Sequence, residues 1–153
     1  MKNILITGGA GFIGSHVVNF FVNKYSHYKI TNIDSLTYAS NYSFLSSIDK
    51  KENYVFYDLD IRDSNKLEEL IKKENYDSII HLAAESHVDN SIKNPTLFAE
   101  TNILGTINLL NSVNKIWKSK EGKRFYHIST DEVYGTLGAT GSFKETTPYD
   151  PRS

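Results

Sequence analysis

Short apolar runs alternate with longer amphipathic stretches along the chain. Ile4-Leu5-Ile6 is the first run and reads as a strand, followed by an apolar, helix-like segment from Phe12 to Lys24. Lys29 to Asp34 is short and β-branched, a second strand. Ser35 to Ser40 has loop character, and Asn41 to Ile48 predicts a short helix. Tyr54 to Tyr57 is a third strand that runs into Asp58-Leu59-Asp60-Ile61. Between Asp63 and Glu74, Leu67, Leu70 and Ile71 share one face, and Asp63 or Ser64 offers an N-cap; this predicts an amphipathic helix. Ser78 to Leu82 is a fourth strand ending in the small residues Ala83 and Ala84. Pro95 to Trp117 carries Leu97, Leu104, Ile107 and Leu110 in one long helical pattern. Within it Gly105 costs about 1 kcal/mol relative to alanine and allows close packing on the sheet. Arg124 to Ser129 is a fifth strand, and from Thr130 onward glycines and prolines make the chain irregular.

Strands alternating with helices imply an α/β fold, a doubly wound parallel sheet of Rossmann-like type with helices on both faces. Right-handed crossovers give the order 3-2-1-4-5, which places a ligand at the carboxyl ends of strands 1 and 4. Residues 1–153 suit one domain, without internal repeat or interdomain linker.

Composition removes several function classes. A net charge of −1 argues against a nucleic-acid or anionic-membrane binder working by bulk electrostatics. No apolar run reaches spanning length and no signal peptide is visible, so the cytoplasm is the default expectation. The lack of cysteine excludes disulfides, thiolate metal sites and cysteine nucleophiles.

Candidate chemistry gathers after strand ends. Thr7-Gly8-Gly9-Ala10-Gly11-Phe12-Ile13-Gly14 links strand one to the first helix, and its spacing fits both Gly-x-Gly-x-x-Gly from Gly9 and Gly-x-x-Gly-x-x-Gly from Gly8. A strand, a glycine turn and a helix N-terminus together suit a dinucleotide pyrophosphate, with Gly8, Gly11, Phe12, Ile13 and Gly14 as its contacts. Asp34 closes strand two, twenty positions beyond Gly14. There a carboxylate accepts from an adenosine ribose 2′-hydroxyl and repels a 2′-phosphate, so NAD is expected rather than NADP. Two polar clusters follow strands four and five, Glu85-Ser86-His87-x-Asp89 and Ser129-Thr130-Asp131-Glu132. Adjacent carboxylates divide acid and base work when their surroundings separate their pKa values. Taken alone, Asp131-Glu132 also suits a solvated helix start, and His81 and His87 suit buried or capping histidines. A metal site built from His81, Glu85, His87 and Asp89 is conceivable, but no metal is assigned.

Thr7 to Gly14, Asp34 with Leu36-Thr37-Tyr38-Ala39, His81-Leu82-Ala83-Ala84-Glu85-Ser86-His87-Val88-Asp89 and Ser129 to Gly135 resemble the extended short-chain dehydrogenase/reductase superfamily. Within it they are most similar to the dTDP-glucose 4,6-dehydratases. The glycine turn indicates only the superfamily; Thr130-Asp131-Glu132 narrows it to nucleotide-sugar 4,6-dehydratases. The resemblance implies NAD as cofactor and dTDP-glucose as substrate. Hydride leaves C4, Glu132 removes the C5 proton, Asp131 protonates the departing C6 hydroxyl, and hydride returns to C6. Thr130 would hydrogen-bond the 4-hydroxyl. Carried over likewise, Leu36 and Thr37 are cofactor contacts, and Asp60-Ile61 contact adenine. Leu82, Ala83, Ala84 and Ser86 border the nicotinamide side or substrate, and Thr101 is a further cofactor contact. The family also implies a homodimer.

The family's Tyr-x-x-x-Lys pair, which starts its reaction, is not matched at the corresponding place. The only Tyr-x-x-x-Lys in the sequence is Tyr25 to Lys29, where the first helix turns into strand two, and Tyr149 has no lysine four residues on. The chain therefore reads as the amino-terminal half of a dehydratase, lacking the last strands and the carboxy-terminal sugar-nucleotide domain. Such a chain is expected to be inactive alone, to expose an apolar edge at strand five, and to have its dimerisation disturbed. An NAD-binding fragment, a pseudoenzyme, or a sibling nucleotide-sugar dehydratase or epimerase are the competing readings.

Overall fold

Alternation along β1 (Asn3–Thr7) divides the interior in two. In the computed structural model, which describes residues 2–152, Ile4 and Ile6 point to one face of the sheet, where they join Val18 and Val22 of α1 (Phe12–Lys24). Leu5 points to the other face and joins Leu67 and Ile71 of α2 (Ser64–Glu74) with Leu109 and Val113 of α5 (Thr106–Ile116). The strands β2 (Lys29–Asp34), β3 (Tyr54–Asp58), β4 (Ser78–His81) and β5 (Arg124–His127) complete a sheet of order β3-β2-β1-β4-β5. All four pairings are parallel, as the sequence pattern predicts, and burial on both faces is why these strands are apolar runs.

Helix α2 starts where expected: the Asp63 carboxylate accepts from the Lys66 N–H, and Asn75 ends it in the left-handed conformation at φ +48°. Three segments differ from the sequence reading. Asn41 to Ile48 forms only a single 3₁₀ turn, Tyr42–Leu45, capped by the Asn41 side chain. A short helix, α3 (Val88–Lys93), follows β4 and ends just before a fresh start at Pro95. The long helix is not uniform: α4 (Pro95–Phe98) passes through a π-helical stretch, Ala99–Gly105, before α5. Gly105 lies at the end of that stretch against Ile61, and an added Cβ would come within 2.6 Å of the isoleucine Cδ1. The extra residue in the π turn lets one helix pack closely on the exit from β3 and still present side chains to the exit from β4. The β5 edge is open, with Tyr126 and Ile128 exposed. Among the described residues no helix is long and apolar enough to cross a membrane.

Candidate active site

The glycine turn is a place of backbone-to-backbone contact. Gly8 sits at φ +73°, and a Cβ there would lie 2.6 Å from the Ala83 nitrogen, so the chain leaving β1 runs directly against the chain leaving β4. Gly14 lies a turn into α1, where a Cβ would stand 2.0 Å from the Gly8 carbonyl oxygen. Gly11, at the N-cap of α1, contributes no side-chain cap, so the first N–H groups of this 13-residue helix remain available to an anion. Phe12 and Ile13 project into solvent, leaving their backbone as the feature turned to the phosphate site. This donor set fits a pyrophosphate.

Asp34 holds the turn from beside it. Its carboxylate is buried and accepts from the Ala10 N–H at 2.8 Å, the Leu36 N–H at 2.9 Å and the Ser40 hydroxyl at 2.7 Å. Leu36 is drawn into the left-handed region, φ +49°, to make its bond. Two carboxylate oxygens offer about four acceptor positions. Three are used by the fold, which leaves capacity for a ribose hydroxyl and none for a phosphate dianion.

A cleft of about 270 Å³ opens at this point. Gly8, Gly11, Asp34 and Thr37 line one side, Asp60, Ile61 and Thr101 the far end, and Leu82, Ala83 and Ala84 the β4 side. Of the other sequence-predicted cofactor residues, Phe12, Ile13, Gly14, Leu36 and Ser86 lie outside the lining. At the far end Arg62 grips Asp60 through Nε at 2.9 Å and a terminal nitrogen at 2.6 Å. Burial pushes the Asp60 carboxyl up, but the hydrogen bonds and charge of Arg62 outweigh it and hold the pKa below the ordinary carboxylate value. Asp60 is thus an ionised acceptor at the far end of the cleft.

Under the cleft, His81 ties β1 and β4 to the start of α5. Its Nδ1 lies 2.7 Å from the Thr7 hydroxyl and its Nε2 2.9 Å from the Thr106 hydroxyl. Thr106 donates its hydrogen to the Asn102 carbonyl, so it must accept from Nε2–H, and Thr7 then donates to Nδ1. The neutral imidazole satisfies every bond, whereas the imidazolium would leave the Thr7 hydroxyl without an acceptor. Burial, with His127 nearby, drives the His81 pKa down to about 4. Because the folded value lies below the unfolded one, the unfolded chain binds the extra proton first. Stability is therefore complete above about pH 6.5 and falls as pH drops toward 4, by about 3 kcal/mol. Urea unfolding across that window should show this loss, and His81→Gln should be less stable at neutral pH yet lack this part of the acid dependence. A variant that keeps the full slope would contradict the assignment.

The second cluster follows β5. Thr130 caps a 3₁₀ turn, Asp131–Tyr134, its hydroxyl accepting from the Glu132 N–H at 3.3 Å. Tyr134 packs on Phe143 and Tyr149, and the Asp150 N–H donates to the Val133 carbonyl, so the chain beyond folds back to brace the turn. Thr130, Asp131 and Glu132 are exposed and outside the cleft. The pairing of His81 with His127 nevertheless sets their strand end beside the one that carries Leu82 to Glu85. His81 points inward to its threonines, away from His87 and Asp89, and among the described residues no three His, Cys, Asp or Glu side chains gather to hold a metal. Tyr25 and Lys29 take no part in the site: Tyr25 stacks on Tyr28, and Lys29 starts β2 with its ammonium on Glu74.

The sequence model of a family described as GDP-mannose 4,6 dehydratase matches residues 5–153. The chain belongs to that family. Within it, the chain is a homologue of the dTDP-glucose 4,6-dehydratases. It is 45% identical to the dTDP-glucose 4,6-dehydratase of Xanthomonas campestris, over 100% of this chain and 44% of that one. Identity to the Haemophilus influenzae enzyme of the same name is 46%, over 100% of this chain and 47% of the relative. The crystal structure of dTDP-glucose 4,6-dehydratase from Bacillus anthracis in complex with NAD superposes with a TM-score of 0.86 at 42% identity, covering 100% of this chain and 45% of that chain. The chain thus spans just under half the length of the relatives it matches.

Several residues of this dehydratase-family site carry no local signal. Ser40 on the loop after β2, Arg62 after β3, Leu97 in α4 and Asn102 in the π-helical stretch are ordinary in the sequence, and only tertiary packing brings them to the cleft or its wall. His81 did stand out, but its threonine partners lie 74 and 25 residues away.

Proposed function

We propose that this chain is the NAD-binding half of a dTDP-glucose 4,6-dehydratase, converting dTDP-glucose to dTDP-4-dehydro-6-deoxyglucose and water. The adjacent pair Asp131-Glu132, set by Thr130 at the strand end beside the cleft, carries the reading: an elimination across C5 and C6 needs a base and an acid on neighbouring atoms. Gly8, Gly11 and the start of α1 hold the pyrophosphate in this reading, Asp34 the adenosine ribose, and Asp60 the adenine. NAD, when bound there, would supply a reversible hydride acceptor.

The chain's own residues handle protons. With a ketone at C4, the C5 hydrogen is acidic, and the Glu132 carboxylate removes it. Asp131 delivers a proton to the C6 hydroxyl, which departs as water and leaves a C5–C6 double bond conjugated to the ketone. Glu132 would return a proton to C5 as hydride is delivered at C6, which saturates that bond, so one water is lost without net redox change. The resemblance gives the first deprotonation, at the 4-hydroxyl, to a Tyr-x-x-x-Lys pair for which residues 1–153 hold no match at the site. A binding-module reading rests on the cleft being formed by this chain alone. A sugar epimerase, which inverts C4 without eliminating water, has no use for the carboxylate pair.

The test is to continue this chain with the carboxy-terminal half of the Haemophilus influenzae relative. The joined protein should turn dTDP-glucose into the 4-keto product, detected by its absorbance in alkali, while the 153-residue chain assayed alone gives none. Epimerised sugar in place of the 4-keto product, or product from the short chain alone, would contradict the proposal.

A further inference from the structure

One hydrogen bond crosses the cleft. The Tyr38 hydroxyl, on the loop after β2, donates at 2.9 Å to Oε2 of Glu85, on the loop after β4, and both residues line the cleft. In the sheet β1 lies between β2 and β4, so this bond passes over the strand end from which the glycine turn departs. Its two ends are held very differently. Glu85 is 8% exposed, and its backbone is gripped on both sides by the Asn102 amide: its N–H donates to Asn102 Oδ1 at 2.8 Å and its carbonyl accepts from Nδ2 at 2.9 Å. Asn102 belongs to the π-helical stretch, and its carbonyl accepts from Thr106, the first residue of α5, which is anchored in turn by His81. Tyr38 is 60% exposed and sits on a segment with no helix or strand of its own.

A fixed, buried carboxylate facing an exposed aromatic donor on a loop is the construction of a latch. We propose that Tyr38 and Glu85 form a clasp that keeps NAD in the cleft through turnover. The inference rests on the reading of NAD as the occupant. It adds a role for two residues that neither bind the pyrophosphate nor move a proton. The chemistry explains the need: hydride taken from C4 must return to the same sugar at C6, so a cofactor that left as NADH between those events would strand a 4-keto hexose and leave the enzyme reduced.

Stopped-flow NAD binding to the 153-residue chain tests this, with Tyr38→Phe, Glu85→Gln, the double variant, and Tyr42→Phe as a control whose hydroxyl pairs with Asp49 outside the cleft. Both single variants should release NAD about tenfold faster, equivalent to about 1.4 kcal/mol. They should also take it up faster, so that Kd moves less than the release rate. The double variant should match the singles, and Tyr42→Phe should match the parent. Melting curves report whether each variant is folded; should Glu85→Gln unfold, Tyr38→Phe alone decides, since its ring is largely in solvent. NAD uptake with unchanged release in Tyr38→Phe overturns the clasp alone. No NAD uptake by the parent chain overturns the cofactor reading, and the clasp with it.

Discussion

Gly14→Ala should leave the chain folded but weaken NAD binding by more than about a hundredfold, or about 2.7 kcal/mol. The reason is local and steric. The added methyl would stand 2.0 Å from the Gly8 carbonyl oxygen, a backbone atom that cannot swing aside. Gly8 is itself wedged at positive φ against Ala83, so the turn has nowhere to retreat and α1 must lift away instead. Lifting the helix moves its free N–H groups off the phosphate position and strains the Ala10 bond to Asp34. Overpacking of this kind costs about 1–3 kcal/mol in a core, and here the cost falls on the binding geometry. Calorimetric titration with NAD checks it, with Gly138→Ala as the control because a Cβ at Gly138 meets nothing within 4 Å. Equal affinity in the Gly14 and Gly138 variants would remove the turn from the site.

The second large effect belongs to the carboxylate pair. In the chain joined to a relative's carboxy-terminal half, Glu132→Gln should lower dehydration by about 10²–10⁴, the usual worth of a general base. Asp131→Asn should lower it comparably while sparing the first oxidation, so NADH absorbance should build up with the 4-keto hexose. In both variants the Tyr134–Phe143–Tyr149 stack still braces the turn, and in Asp131→Asn the amide oxygen keeps an acceptor for the Thr130 hydroxyl, which donates to the Asp131 carboxylate at 3.5 Å. NAD affinity should stay unchanged, because neither carboxylate lines the cleft. That separation of binding from chemistry distinguishes a proton-transfer role from a structural one.

What the sequence made legible was what depends on neighbouring residues. Strand order, the glycine turn and Asp34 follow from apolar runs and from a spacing of a few residues, and β1 through β5 fall where those runs lie. The break in the long helix did not show, and the face suggested by Leu104, Ile107 and Leu110 is not the packed one: all three are exposed, while α5 buries Leu109, Ser112 and Val113. The short helix α3 was hidden as well: no residue in it is buried, so it has no apolar face to reveal it. The Tyr38–Glu85 bond joins residues 47 apart across a strand that neither belongs to, and only the strand order brings them together. Asp34 shows a further limit. Its position announced a ribose partner, while its three bonds to the fold, which set how many acceptors remain, are visible only in three dimensions.

In the proposed reaction the central role is that of Glu132, which removes the C5 proton. The joined protein, incubated with dTDP-glucose in deuterium oxide, gives the most direct reading by mass spectrometry and proton NMR of the product. A base that exchanges with solvent places deuterium at C5 in the parent product, and the predicted result for Glu132→Gln is loss of that product by at least about a hundredfold with C4 oxidation still detectable. Unchanged formation of C5-deuterated product by Glu132→Gln would contradict the account.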